Sequence, residues 1–585
     1  MKRIVKILTV FFIPLILLQL SSCNEEWLDP NPKSFYAPEN VYINISGFEA
    51  ALVTVRRDLK EDFYGDRGNL TISQCGTDIG DMVWQPPMTQ LTPTGGLYTD
   101  YIGPFGEIYG FIKNINVPIS RINDIEWESK EDRNEILAEA IFYRSYWYNQ
   151  LTHMYGDVPF VAREIKEPKL DFKTHSKFAV LERIQSDLEW AVDWLPESPP
   201  KYKPSKYAGL MLLAKIYLAN TEFEKAKNAL TTVIDEGGYS LMRERFGSVK
   251  DQASYNVLWD LHRPENKALA ENTESIFLLI DRGDAPAGAM HSVGTYSYRN
   301  WAPTWWLGTL VHDSEGKAGT MTTFPDGTNT PQYVRFGRGN PDQTTTPWFN
   351  YELWNDGVHN YKNTPDLRRA DSNWIDNNEI LYNNPSSVNY GEPLNPEWFA
   401  DPGDTLMSLF PFPYYKIHIP HVPEYEGRIM GGHSDWYVFR LAEAYLMRAE
   451  AYYWLDQPGD AANDINVVRE RANAIPVSAS DIDIDFIFDE RARELYLEEH
   501  RKNELVRASY IMAQLGRNGY NMDNFSQNNW FYDRVMDRSF FYQQPLKDGT
   551  YTMLQEMEPY HVHYPIPHSI VADNTKGVIN QNEGY

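Results

Sequence analysis

Residues 138–160 read AEAIFYRSYWYNQLTHMYGDVPF. From Glu139 to Tyr148 the stretch has helical periodicity, with the pattern E-A-x-x-x-R-[SA]-x-x-Y. The pattern returns at Glu443–Tyr452, and Leu210, Leu213, Ala214 and Tyr217 hold the equivalent offsets of a third segment. In each copy a small residue (Ser145, Ala214 or Ala449) lets a neighbouring helix approach closely. The tyrosine three positions later (Tyr148, Tyr217 or Tyr452) fills the space beside it.

Two copies lead into a matching second helix. Ala226, Leu230 and Val233 follow Ala214, and Ala461, Ile465 and Val468 follow Ala449 at the same step. This is the tetratricopeptide helix–turn–helix layout, with one small-residue position in each helix. The first copy has a long insertion before Ile184, Leu188 and Ala191 restore the spacing. A further pair is predicted near Phe48–Leu59 and Pro104–Ile122, and one charged late helix over Asp489–Tyr510. The expected fold is therefore mostly α. Tetratricopeptide-like helix pairs form a superhelical scaffold over residues 39–280 and 433–515, and an irregular segment closes the chain at 516–585.

Between residues 281 and 432 the texture changes. Gly, Pro, Asn, Asp and Thr recur every few positions, as in FPDGTNTPQYVRFGRGNPDQ, which is loop and short-strand language. Trp301, Trp305, Trp306, Trp348, Trp354, Trp374 and Trp398 also lie here. Disordered segments are poor in aromatics, so this is a folded, irregular insertion, and loops on a rigid scaffold are where binding residues sit.

The N-terminus reads as an address. Lys2, Arg3 and Lys6 precede the apolar run Ile7–Leu20, the layout of a secretory signal over residues 1–22. The run is short for a spanning helix and contains Pro14. Its exit, Leu20-Ser21-Ser22-Cys23, resembles the bacterial lipobox, which implies cleavage before Cys23 and acylation of that residue. Cys75 is then the one other cysteine of 585 residues, so the mature chain has no intrachain disulfide. With 54 Lys and Arg against 81 Asp and Glu, the net charge of −27 excludes a typical nucleic-acid binder, which needs a basic face.

Taken together, these motifs resemble the SusD/RagB family of outer-membrane glycan-binding lipoproteins. The resemblance begins at CNEEWLD (Cys23–Asp29) with Pro32. It continues through AEAIFYRSYWYNQLTHMYGDVPF, then FRLAEAYLMRAEAYYW with DINVVRERANA, and DERARELYLEEHRKNELVR. It ends at YPIPHSIVADNTKGVINQNEGY, where Glu583 stands in place of the usual proline. The resemblance implies a non-catalytic, surface-exposed lipoprotein held in the outer membrane through its lipid. It also implies four helix pairs, a variable region that forms a polysaccharide or oligosaccharide site, and a SusC-like TonB-dependent transporter over which the lipoprotein sits as a lid.

A sugar's C–H face stacks on indole or phenol rings, and its hydroxyl rim needs Asn, Asp, Arg or Gln. Three stretches mix these types. YSYRNWAPTWW (Tyr296–Trp306) offers Tyr298, Arg299, Asn300, Trp301, Trp305 and Trp306. CGTDIGDMVW (Cys75–Trp84) offers Asp78, Asp81 and Trp84, at a position resembling the family's early ligand-face loop. PWFNYELWNDG (Pro347–Gly357) offers Trp348 and Trp354. Each Trp is open to two readings, stacking on a ligand or packing the insertion's own core.

Other patterns carry less. DIDIDF (Asp481–Phe486) lacks the turn glycine and distal glutamate of a calcium loop, and reads as the approach to a helix at Asp489. His418 with His421, and His561 with His563, have ligand-like spacing without supporting carboxylates. No metal or cofactor is expected, and no P-loop, dinucleotide fingerprint or nucleophile elbow is present. Arg469, Arg471, Glu490, Arg491, Arg493 and Glu494 are expected to form structural ion pairs, and Arg144 and Arg448 to pair with glutamates nearby. Two alternatives to glycan capture stand beside it, a secreted surface glycoside hydrolase and a protein-scaffold tetratricopeptide lipoprotein.

Overall fold

The computed structural model describes residues 41–65, 68–82, 91–94, 104–282, 291, 294–400, 405–420, 428–539 and 556–585. Cys23, Trp84 and His421 lie outside the described residues. The long helices run in chain order: α1 (Ile45–Asp58), α2 (Phe105–Arg121), α3 (Lys130–Tyr155), α4 (Lys177–Val192), α5 (Lys206–Ala219), α6 (Phe223–Glu236), α7 (Leu441–Trp454), α8 (Pro458–Arg471), α9 (Ile484–Leu495), α10 (Arg501–Gln514) and α11 (Trp530–Arg538).

Helix α3 is the spine. Ser129 starts it by accepting a hydrogen bond from the Asp132 amide at 3.1 Å, with Glu131 and Asp132 favourably placed in its first turn. Every residue from Ala138 to Tyr155 is buried, so the helix is covered on all sides. Gly156 stops it in a positive-φ conformation (φ 69°). Asp157 Oδ1 then accepts from the Lys177 amide at 2.8 Å, tying the exit to the start of α4.

From α1 to α8 each helix packs on the next. The small-residue positions sit in these seams: Ser145, Ala214, Ala226, Ala449 and Ala461 are all buried. Arginine pairs clamp two of them. Arg144 of α3 reaches Asp187 of α4 at 2.9 Å, and Arg448 of α7 reaches Asp464 of α8 at 2.8 Å. The expected glutamate partners are thus corrected to aspartates on the facing helix, whose shorter side chains fit a close interhelical approach.

Helix α6 packs directly on α7 although 237–440 intervenes. Strand β4 (Ser275–Leu279) and strand β6 (Trp436–Arg440) form a buried antiparallel pair, with Ser275 opposite Arg440 and Leu279 opposite Trp436. The segment between these strands is therefore pinned at both ends. It consists of short helical turns, loops and isolated bridges.

The late helix differs from expectation. Asp489–Tyr510 is two helices, α9 and α10, broken at residues 496–500, where Leu497 adopts φ 58°. The break lets the carboxylates of Glu498 and Glu499 face inward: Glu498 meets Lys416 and Arg440, and Glu499 meets Arg491 and Arg501. Helix α9 also begins earlier than expected, at Ile484, because Asp483 caps it by accepting from the Phe486 amide at 2.7 Å. The charges of these helices are buried structural pairs. Arg440 reaches Glu274 at 2.7 Å and Glu494 at 2.6 Å, Arg471 reaches Glu274 at 2.8 Å, and Arg368 reaches Glu490 at 2.8 Å. Five separate chain segments meet in that network.

Candidate glycan-facing site

The three aromatic and polar stretches meet at one place. Strand β1 (Gly80–Asp81) pairs antiparallel with strand β5 (Thr344–Thr345). Thr346 extends the join, its amide donating to the Ile79 carbonyl at 3.0 Å and its hydroxyl to the Asp78 carbonyl at 2.9 Å. Gly80 is required here, since a Cβ would lie 2.0 Å from Gln343 Nε2 and 3.0 Å from the Thr344 carbonyl oxygen. The third stretch is sewn on by backbone: Asn340 N donates to Arg299 O at 3.0 Å, and Asp342 N to Asn300 O at 3.0 Å. Residues 75–82, 296–306 and 340–357 thus form one locus.

Most of the candidate side chains build this locus from inside. Asp78 is fully buried, 2.7 Å from both Arg501 and Arg534. Against the cost of burial, those two guanidinium groups hold its carboxyl well below the usual range. Asp81 is buried and its carboxylate accepts from the Met82 amide at 2.8 Å. Tyr298 is buried, with its hydroxyl 2.6 Å from His418 Nδ1. Asn300 is buried and donates to the Gly65 carbonyl at 3.1 Å. Trp301 packs on Trp436, Trp305 meets the edge of Phe336, and Trp354 lies edge-on to Trp374. These three indoles are 1%, 0% and 4% exposed, so they offer no open face to a sugar and take the core-packing reading.

Arg299, Trp306 and Trp348 remain partly exposed. Arg299 Nη1 donates to the Asn340 carbonyl at 3.0 Å and lies 3.3 Å from Asp342. The Trp306 indole is fixed by a 2.6 Å hydrogen bond from Nε1 to the Gly339 carbonyl, and the Arg338 guanidinium sits 4.4 Å from its ring centroid. Trp348 is flanked by Arg534 and Arg538, 5.7 and 5.2 Å from its centroid. Sequence reasoning missed Arg338, Arg534 and Arg538. For Arg338 a signal exists: it stands between Gly337 and Gly339 in FGRGNPD, where a Cβ on Gly339 would meet the Ala302 and Pro303 carbonyl oxygens at 2.2 Å.

Partly exposed, rigidly held indoles beside guanidinium groups can stack on a sugar ring and donate to its hydroxyl rim. Among the described residues no group of three or more His, Cys, Asp and Glu side chains is arranged to hold a metal ion. His418 is occupied instead by Tyr298 and by stacking on Trp259, and His563 bonds to the Tyr510 hydroxyl at 2.9 Å.

Comparison with known proteins gives concordant results. The profile described as the SusD family matches residues 273–585, and one described as starch-binding associating with outer membrane matches residues 26–218. The chain is 24% identical to SusD-like protein P25 of Formosa agariphila over 602 aligned residues, covering 96% of each chain. A SusD homolog from Bacteroides thetaiotaomicron superposes with a TM-score of 0.63 at 18% identity, over 94% of this chain and 98% of that one. A laminarin-binding SusD-like protein superposes with a TM-score of 0.57 at 20% identity, over 93% and 100%. At such identities the superpositions speak for the fold.

Proposed function

Since the chain belongs to the SusD family, we propose that it is a non-catalytic carbohydrate-binding protein of the cell surface. It captures an oligosaccharide or polysaccharide at the locus where residues 75–82, 296–306 and 340–357 meet. The observation that carries this reading is the β1–β5 join, which leaves Trp306 and Trp348 as partly exposed indoles on an otherwise buried framework. The comparisons support it: one matching profile is described as starch-binding, and one solved relative as laminarin-binding. Trp84, three positions after Asp81 in the sequence, is proposed as a further stacking residue.

Hydrolysis at this locus is disfavoured. A glycosidase needs two carboxylates about 5 to 9.5 Å apart, one of them protonated at working pH. Asp78 is buried and held ionised by two arginines, and Asp81 is buried within the strand pair. The N-terminal motif supports a lipid anchor at Cys23, and family membership supports delivery of the captured glycan to a TonB-dependent transporter.

Affinity electrophoresis against a panel of polysaccharides tests the capture. Retardation by at least one glycan, without release of reducing ends, is the expected result. Retardation by none, or hydrolysis of the retarding glycan, refutes the reading. Co-purification of a large TonB-dependent barrel in mild detergent at native expression tests the partner. A lipoprotein that always migrates alone counts against it.

A further inference from the structure

Arg299, Arg338 and Arg428, from three distant parts of the chain, are brought together by backbone contacts, and Arg338 lies against the Trp306 ring. The Arg299 amide donates to the Met430 carbonyl at 3.1 Å, and the Arg338 amide donates to the Ile429 carbonyl at 2.6 Å. Ile429 and Met430, which directly follow Arg428, are therefore laid against both other residues. Arg299 has a carboxylate in reach, Asp342 at 3.3 Å. Arg338 and Arg428 have none among the described residues: no ion pair forms at either guanidinium, and that of Arg338 rests on the Trp306 ring.

Such an arrangement is unusual in this chain. Acidic residues outnumber basic ones by 81 to 54, and most arginines of the scaffold are neutralised by carboxylates. Arg338 is half-buried against the partly exposed Trp306 ring, and Arg428 is exposed. Burial, and then the charges of Arg428 and Arg299, push the Arg338 guanidinium below its usual range. Like charges crowded beside a hydrophobic ring are held at a cost that an anion would relieve. A guanidinium presents paired N–H donors that match the geometry of a carboxylate or a sulfate ester.

We propose that Arg338 and Arg428, beside the partly exposed Trp306 ring, form a subsite for the anionic substituent of an acidic saccharide, a uronate carboxylate or a sulfate ester. This inference rests on the glycan-capture reading and deepens it. The sugar ring is held by the indole, and its anionic group by the two arginines. Neutral glycans lack the second contact.

The test is a binding series on the full mature chain. Acidic probes are polygalacturonate, alginate, chondroitin sulfate and heparin, and neutral probes are starch, laminarin and xyloglucan. The expected result is that the strongest retardation comes from an acidic probe and weakens as salt rises. Arg338→Gln and Arg428→Gln should each weaken it by tenfold or more while the melting temperature holds. Arg338→Lys, which keeps the charge and loses the paired donors, should fall between. Carboxyl reduction or desulfation of the bound probe should lower affinity by a similar factor and abolish the effect of the arginine variants. Whichever treatment does so identifies the anion. Binding of neutral glycans alone, lost in Trp306→Ala and untouched in the folded double variant Arg338→Gln/Arg428→Gln, overturns the anionic subsite and leaves glycan capture standing. Binding of no saccharide at all overturns both.

Discussion

Asp78 Oδ2 lies 2.7 Å from Arg534 Nε, across 456 positions of sequence, and neither side chain is exposed to solvent. The same guanidinium reaches Asp485 and Asp489 and lies beside the Trp348 ring. The early loop, helix α9, helix α11 and the aromatic insertion are therefore joined through one residue. Removing one partner of a buried pair leaves the other charge unpaired, which typically costs about 3 to 5 kcal/mol. Asp78→Ala should lose stability of that order in chemical denaturation. A variant as stable as the parent but deficient in glycan binding would return Asp78 to the ligand face.

The tryptophans should separate into two classes. A sugar ring on one indole covers about 50 to 100 Å² of apolar surface, roughly 1 to 3 kcal/mol. Trp306→Ala and Trp348→Ala should each weaken binding by about ten- to a hundredfold with little change in melting temperature. Trp301→Ala, Trp305→Ala and Trp354→Ala should instead cost about 3 to 5 kcal/mol of stability, the usual range for emptying a buried aromatic site. Calorimetric melting and glycan titration of the five variants check the division.

Acid should weaken the fold in a window set by histidines. Burial pushes His153, His262, His418, His561 and His563 below their ordinary value of 6.5, the last three to about 3. Between those limits the unfolded chain binds protons that the folded rings refuse, so stability rises with pH and is lost as pH falls. Each ring contributes up to about 1.4 kcal/mol per pH unit. Glu490, held at about 2 by its arginines despite burial, adds to the loss below its ordinary 4.5. Asp435 and Asp464, raised by burial, act in the opposite sense. The melting temperature should fall progressively from pH 6.5 to pH 4. A flat profile over that range would contradict this balance.

The seam residues make a packing prediction. Ala449 is fully buried between α7 and its neighbours. Ala449→Leu adds three carbons to a close helix approach, and overpacking of this kind costs about 1 to 3 kcal/mol. Denaturant titration should show that loss, whereas Tyr445→Leu, at a partly exposed position of the same helix, should change stability far less.

The helix pairs were legible because their signal is local. A small residue and a tyrosine three positions later lie within one turn of each other. The break at Leu497 was not legible. A leucine at φ 58° has no compositional mark, and its turn is held by Glu274, Arg440 and Lys416, which lie far away in sequence. The site divides the same way. Aromatic density marked the three stretches, and their joining through β1 and β5 explains why they matter together. Which rings are open was set by distant partners: Trp436 covers Trp301, Phe336 covers Trp305, and Trp374 covers Trp354. The same distance hid the arginines, since Arg428 is brought near Arg338 by the backbone bond of its neighbour Ile429, which no spacing rule announces.

The most direct test is isothermal titration of the double variant Trp306→Ala/Trp348→Ala with the polysaccharide that the parent protein retains. The account predicts affinity lowered by about a hundredfold or more, with the two single effects adding and the melting temperature within a few degrees of the parent. A folded double variant that binds as tightly as the parent would contradict it.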